Sequence, residues 1–183
     1  MGFTESLREE HKEIKLMLEI LGAICRKLEN KEDIPDEHLE KIMEFIKVFV
    51  DRCHHGKEED ILFPAMIESG LPKESGPISI MLIEHTTGRN YVKEMNRAIK
   101  SKDFNKFTEN AYNYSHLLQQ HIFKEDNILY MIAENQIPAN KQKEIVEQFE
   151  KVEKEIIGPG KHQEFHELIH HLEKVYIKHT DIG

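Results

Sequence analysis

At 183 residues the chain is long enough for one domain with a real core, so neither disulfides nor a cofactor are needed merely to fold it. A formal net charge of −9, from 34 acidic against 25 basic residues, denies it the positive field that phosphate binding requires and excludes a nucleic-acid partner. No run approaches the roughly 20 apolar residues of a membrane span, the start turns polar too soon for a secretory signal, and two cysteines are too few for a secreted disulfide scaffold, so a cytoplasmic protein with no membrane partner is expected.

Helical spacing runs through the chain, and no stretch sustains the alternation of a strand. The first helix spans about Thr4 to Leu28, with Leu7, His11, Ile14, Leu18, Leu21 and Cys25 on one stripe. Pro35, followed by Asp36 and Glu37, opens the second, which carries Ile42, Phe45, Ile46, Phe49, Val50 and Cys53. Ser69-Gly70-Leu71-Pro72 stops it, and Pro64 is a candidate kink. Gly76-Pro77 starts the third, and Ser101-Lys102-Asp103 turns the chain into the fourth, from Phe104 to about Ile132. Short links force antiparallel neighbours, so these four predict an all-α, up-down-up-down bundle over residues 1–135. Two further helices, about Ala139 to Ile157 and Lys161 to Tyr176, flank Gly158-Pro159-Gly160 and read as a C-terminal extension, 136–183, of the same single domain.

A ten-residue pattern occurs twice, as His54-His55-Gly56-Lys57-Glu58-Glu59-Asp60-Ile61-Leu62-Phe63 and His121-Ile122-Phe123-Lys124-Glu125-Asp126-Asn127-Ile128-Leu129-Tyr130. His and Glu four residues apart share a helix face and present an imidazole and a carboxylate to one point. The helix before each copy carries one histidine on its core stripe, His11 or His85, each preceded by Glu. The motifs are 67 residues apart and the single histidines 74, the mark of an internal duplication. Counting from the loops, His11 and His54 lie 22 and 21 residues from the first turn, Glu58 and His85 14 and 13 from the second, and His85 and His121 17 and 19 from the third. At about 1.5 Å per residue all six groups fall in one layer.

A lone histidine on an apolar stripe is usually a hydrogen-bonded core residue. Four imidazoles and two carboxylates at one height are costly to bury unless a metal pair compensates them. The nitrogen and oxygen donors exclude a thiolate-rich zinc site and suit iron best, with manganese, cobalt or zinc as alternative occupants. Ferritin-like di-iron bundles use Glu-x-x-His instead, the reverse order at a spacing of three.

The order of these motifs, with Arg8-Glu9-Glu10-His11 and Glu84-His85 beside the two His-x-x-x-Glu copies, resembles the hemerythrin-like (HHE cation-binding) family over roughly Thr4 to Glu134. The resemblance implies a non-haem centre of two iron ions, bridged by an oxo or hydroxo group and held by His11, His54, Glu58, His85, His121 and Glu125, with Glu58 and Glu125 bridging. Oxygen-carrying hemerythrins have a fifth histidine where this chain has Met81, so the resemblance favours the branch with four His and two Glu. That branch implies binding of, or reaction with, oxygen, nitric oxide or peroxide, as in a di-iron oxidoreductase. The alternative class is iron storage or delivery to a damaged iron-sulfur protein, or a metal-stapled sensor or interaction module; a redox partner belongs to the same expectation.

Three finer expectations follow. His54 is the ligand of its pair and His55 faces outward, because Val50, Ile46 and Met43 precede His54 on its face while Asp51, Lys47 and Glu44 precede His55. Tyr114, two turns before His121, is expected to line the pocket beside the centre in a catalytic role. His162, His166 and His170, at intervals of four, could bind a surface metal, but beside Glu164, Glu167 and Glu173 they read as solvated surface.

Overall fold

A computed structural model describes residues 2–177; within them the chain forms six α-helices and no strand. They are α1 (Phe3–Glu29), α2 (residues 36–68), α3 (Pro77–Ser101), α4 (residues 104–136), α5 (residues 139–157) and α6 (Lys161–Tyr176). Residues 178–183 of the expected C-terminal extension lie outside the described residues.

The helix ends follow local chemistry. Pro77 occupies the first turn of α3, where a missing N–H costs nothing. Lys102 takes the left-handed conformation after α3, and the Asp103 carboxylate then accepts the Lys106 N–H at 3.0 Å to cap α4. Gly158 and Gly160, both at positive φ, separate α5 from α6 in a geometry that a side chain would strain.

Three long helices are not uniformly α-helical. In α2, π-helical turns run over Ile46–His55 and Glu58–Leu62; α4 has one at Glu125–Leu129 and α5 ends in one at Glu153–Ile157. Pro64 does not cause the widening in α2. The repeat-related stretch Glu125–Leu129 widens in the same way, although Met131 stands in the proline's place. Such i→i+5 turns gather at functional sites.

Two apolar clusters fill the bundle. One holds Ile14, Leu18, Phe45, Phe49, Val50, Met95, Phe107, Tyr114 and Leu118, and α6 joins it through Phe165, Ile169 and Leu172. The other holds Phe3, Leu7, Leu62, Phe63, Met81, Leu129 and Tyr130, joined by Ile145 and Phe149 of α5. On α1, α2 and α3 the His and Glu positions fall between the residues of these two clusters, and on α4 His121 and Glu125 flank Ile122 at the border of the first, so a polar layer is sandwiched between apolar ones. Met81 is a packing residue of the second cluster. Cys25 and Cys53 are buried and unpaired, and burial pushes both thiols up to about 12, which makes them core residues without nucleophilic character. No described helix is long and apolar enough to cross a membrane.

Candidate metal centre

The six residues expected to share a layer do so. His11, His54, Glu58, His85, His121 and Glu125 are each at most 1% exposed. The imidazoles face one another in two pairs, with His11 Nε2 3.0 Å from His54 Nε2 and His85 Nε2 3.0 Å from His121 Nε2. Each carboxylate spans the pairs. Glu125 places Oε2 3.3 Å from His11 Nε2 and Oε1 2.9 Å from His121 Nε2, while Glu58 Oε2 lies 3.4 Å from His85 Nε2 and 3.9 Å from His54 Nε2.

The outward nitrogens are all engaged. His11 Nδ1 meets Asp126 at 2.8 Å, His54 Nδ1 meets Glu10 at 2.8 Å, His85 Nδ1 meets Glu59 at 2.7 Å and His121 Nδ1 meets Glu84 at 2.9 Å. Every one of these acids is adjacent in sequence to a ligand on another helix. A cation sits behind each: Lys57 on Glu10, Lys124 on Glu84, Arg89 on Glu59 and Lys15 on Asp126. The separations of 67 and 74 relate these partners too, because Lys57 matches Lys124 and Lys15 matches Arg89. The duplication therefore extends from the inner ligands through two surrounding shells of charge.

This arrangement fits a cation between the imidazoles. A carboxylate at Nδ1 places the ring proton there, so that Nε2 turns a lone pair inward. The four inward nitrogens then converge with Glu58 Oε2 and both Glu125 oxygens, which have no donor while those nitrogens are unprotonated. Lone pairs and carboxylates facing one another at about 3 Å repel unless a positive charge lies among them. Without a metal, protons fill that role. Burial alone would lower His11 and His121, yet the hydrogen bonds that protonated His11 donates to Asp126 and Glu125 raise it to about 9, and the Glu125 charge raises His121 to about 10. Burial works against the Glu125 carboxylate, but His121 and His11 hold it well below the ordinary range.

Two side chains break the symmetry. Tyr130, where the first repeat has Phe63, donates its hydroxyl to Glu58 Oε1 at 2.7 Å and stacks on His11 with centroids 5.6 Å apart. Burial and the Glu125 and Glu58 charges keep that hydroxyl protonated. His55, where the second repeat has Ile122, does not face outward as its α-helical register implies. It is 5% exposed, stacks on His85 at 3.9 Å, and neither ring nitrogen has a hydrogen-bond partner. In the π-helical stretch Ile46–His55 each residue advances by less than the 100° of an α-helix, and the accumulated lag turns His55 inward. One nitrogen of His55 lies within 4.8 Å of donor atoms of Glu58, His85 and His121. Burial and the neighbouring imidazoles hold His55 well below the usual histidine range, so it is neutral.

Tyr114 lies in the wall of a cavity of about 460 Å³ that also exposes His55, His85, Gly88, Asp51 and Arg89. It is 2% exposed and packs its ring 3.6 Å from where a Cβ on Gly88 would stand, so glycine there leaves it room. The tyrosine bonded to a ligand is Tyr130, whose sequence signal was the Phe/Tyr alternation at the end of the repeated motif.

The family model described as hemerythrin HHE cation binding domain matches residues 2–133. No curated protein and no solved structure matches the chain. The matched segment contains all six inward-facing His and Glu residues and the carboxylates behind them, and the chain belongs to the hemerythrin HHE cation-binding domain family.

Proposed function

We propose that the layer holds two iron ions, one between His11 and His54 and one between His85 and His121, with Glu58 and Glu125 shared, and that the centre binds or reacts with oxygen, nitric oxide or peroxide. The observation that carries this reading is the pairing of inward imidazole nitrogens at 3.0 Å around carboxylate oxygens that have no donor while those nitrogens are unprotonated. Iron supplies Lewis acidity and electrons there. Nitrogen and carboxylate donors without thiolate suit iron and also admit manganese or zinc.

The chain's own residues supply approach, orientation and protons. The cavity is lined by His55 and His85, so a small molecule held in it lies beside the layer. His55, neutral and with both nitrogens uncommitted, presents a polar group to anything held next to His85. Tyr130 holds a proton 2.7 Å from Glu58, beside the His11 position. Tyr114 stands on the cavity wall, where its hydroxyl orients a small molecule before it reaches the centre. Complete burial of the ligands favours a resident centre over exchangeable iron cargo. Mixing reduced, iron-loaded protein anaerobically with each of the three molecules and following the visible spectrum tests the reading. A spectral change with at least one, slowed in Tyr114→Phe without loss of stability, is expected. A centre silent to all three that gives up its iron readily to an apo iron-sulfur protein would establish the delivery class instead.

A further inference from the structure

The last helix carries His162, His166 and His170 at intervals of four, and the centre described above uses none of them. The fold brings two of the three onto α1. His166 Nδ1 lies 3.0 Å from Glu13 Oε1, and His170 Nε2 lies 3.8 Å from the same oxygen. The two rings meet edge to face with centroids 4.4 Å apart. One donor atom from each of Glu13, His166 and His170 falls within 4.8 Å of the others, although 153 residues separate Glu13 from His166.

Three observations distinguish this cluster from ordinary solvated surface. Glu13 Oε2 is buried and accepts no hydrogen bond, so half of the carboxylate is desolvated without a partner. His170 Nδ1 meets Glu173 at 3.0 Å, which fixes the tautomer with Nε2 turned toward Glu13. This is the arrangement that orients every imidazole of the buried centre. A cavity of about 380 Å³ also opens beside His166, lined by Glu13 and Glu150 together with Glu9, Glu10 and Glu153, which pair with Lys12 and Lys57, and it gives a cation an approach to His166 and Glu13.

We propose that Glu13, His166 and His170 form a second, surface metal site for a late first-row divalent ion of the zinc class, pinning α6 to α1. Two imidazoles and one carboxylate make a mixed nitrogen and oxygen set that binds such ions and leaves further positions to water. Both histidines are nearly half exposed, so the site exchanges freely with solvent, unlike the buried centre. Its ion holds the extension against the bundle and contributes nothing to the inner layer.

Zinc titration of untagged protein by calorimetry, with the buried centre already loaded, tests the proposal. The wild-type chain should take up one further ion, and zinc should raise its melting temperature. The double variant His166→Ala, His170→Ala should lose that ion and the thermal shift while keeping the buried metals. Glu13→Gln should weaken the same ion about tenfold or more. Equal uptake and affinity in all three proteins would overturn the site. Loss in the histidine variant with Glu13→Gln unchanged would also overturn it, because binding would then belong to an exposed histidine pair on one helix. Both variants keep the core residues of α6, and circular dichroism confirms their fold. Neither outcome depends on what the buried centre does.

Discussion

Glu10 serves two partners at once, accepting from His54 Nδ1 at 2.8 Å and from the Lys57 ammonium. Burial opposes its charge, but the His54 hydrogen bond and Lys57 together lower it to about 2. Lys57 is fully buried, whereas its repeat-related counterpart Lys124 on Glu84 is one-third exposed. Removing one partner of a buried ion pair leaves an uncompensated charge and costs about 3–5 kcal/mol. An exposed pair is worth about 1 kcal/mol or less. Urea denaturation of the metal-free protein should therefore show a loss of about 3–5 kcal/mol for Lys57→Ala and about 1 kcal/mol or less for Lys124→Ala. Equal losses would mean that burial does not distinguish the two repeats. Both lysines, and the acids beside the ligands, stand at repeated positions in the sequence. Their roles as partners of Nδ1 were not legible, because adjacency on one helix says nothing of which neighbouring helix the side chain reaches.

At the scale of elements, helix ends were plain in the sequence because proline and glycine mark them at Pro35, Gly76-Pro77 and Gly158-Pro159-Gly160. The π-helical turns were not, since an i→i+5 turn requires no special residue and both motif copies read as regular α-helix. That hidden widening is why the outward placement expected for His55 was wrong while the inward placement of His54 held. The extension is part of the packing, although the family match ends at residue 133: Phe165, Ile169 and Leu172 are each at most 1% exposed. Phe165 meets Phe45 edge-on at 5.5 Å, and His38 Nδ1 pairs with the Tyr176 hydroxyl at 2.6 Å to hold α6 on α2. Phe165→Ala should cost about 3–5 kcal/mol by thermal or urea unfolding. A loss near zero would show that α6 lies on the bundle without stabilising it.

For the whole molecule, the duplication makes a buried layer of charge that is compensated by protons or by metal, and the two cases predict opposite responses to pH. In the metal-free protein the folded-state values of His11 and His121 are raised to about 9 and about 10, above the unfolded value of 6.5. Their contribution to stability is complete below the unfolded value and is lost as pH rises through about 9 to 10. Metal binding requires deprotonated imidazoles, so the loaded protein should gain stability from its metals as pH rises from acid toward neutral. Melting temperatures of chelator-treated protein should fall between pH 7 and 10, and the margin of loaded over metal-free protein should widen from pH 5 to 7. Parallel curves throughout would mean that the layer is not the metal site. The ligand types, their order and their common height were legible because both helix period and loop position are written in the sequence. The Phe63/Tyr130 and His55/Ile122 differences between the repeats are written in the sequence, but the contacts that Tyr130 and His55 make with the layer emerged only from the structure. The most direct measurement is an anaerobic titration of metal-free protein with ferrous iron, read by bound metal per chain. Two ions are predicted for the wild type, at most one for His54→Ala, and two for His55→Ile, which gives the first repeat the isoleucine of the second. Saturation at one ion or none in the wild type, or a His54→Ala variant that still binds two, would contradict a paired centre in this layer.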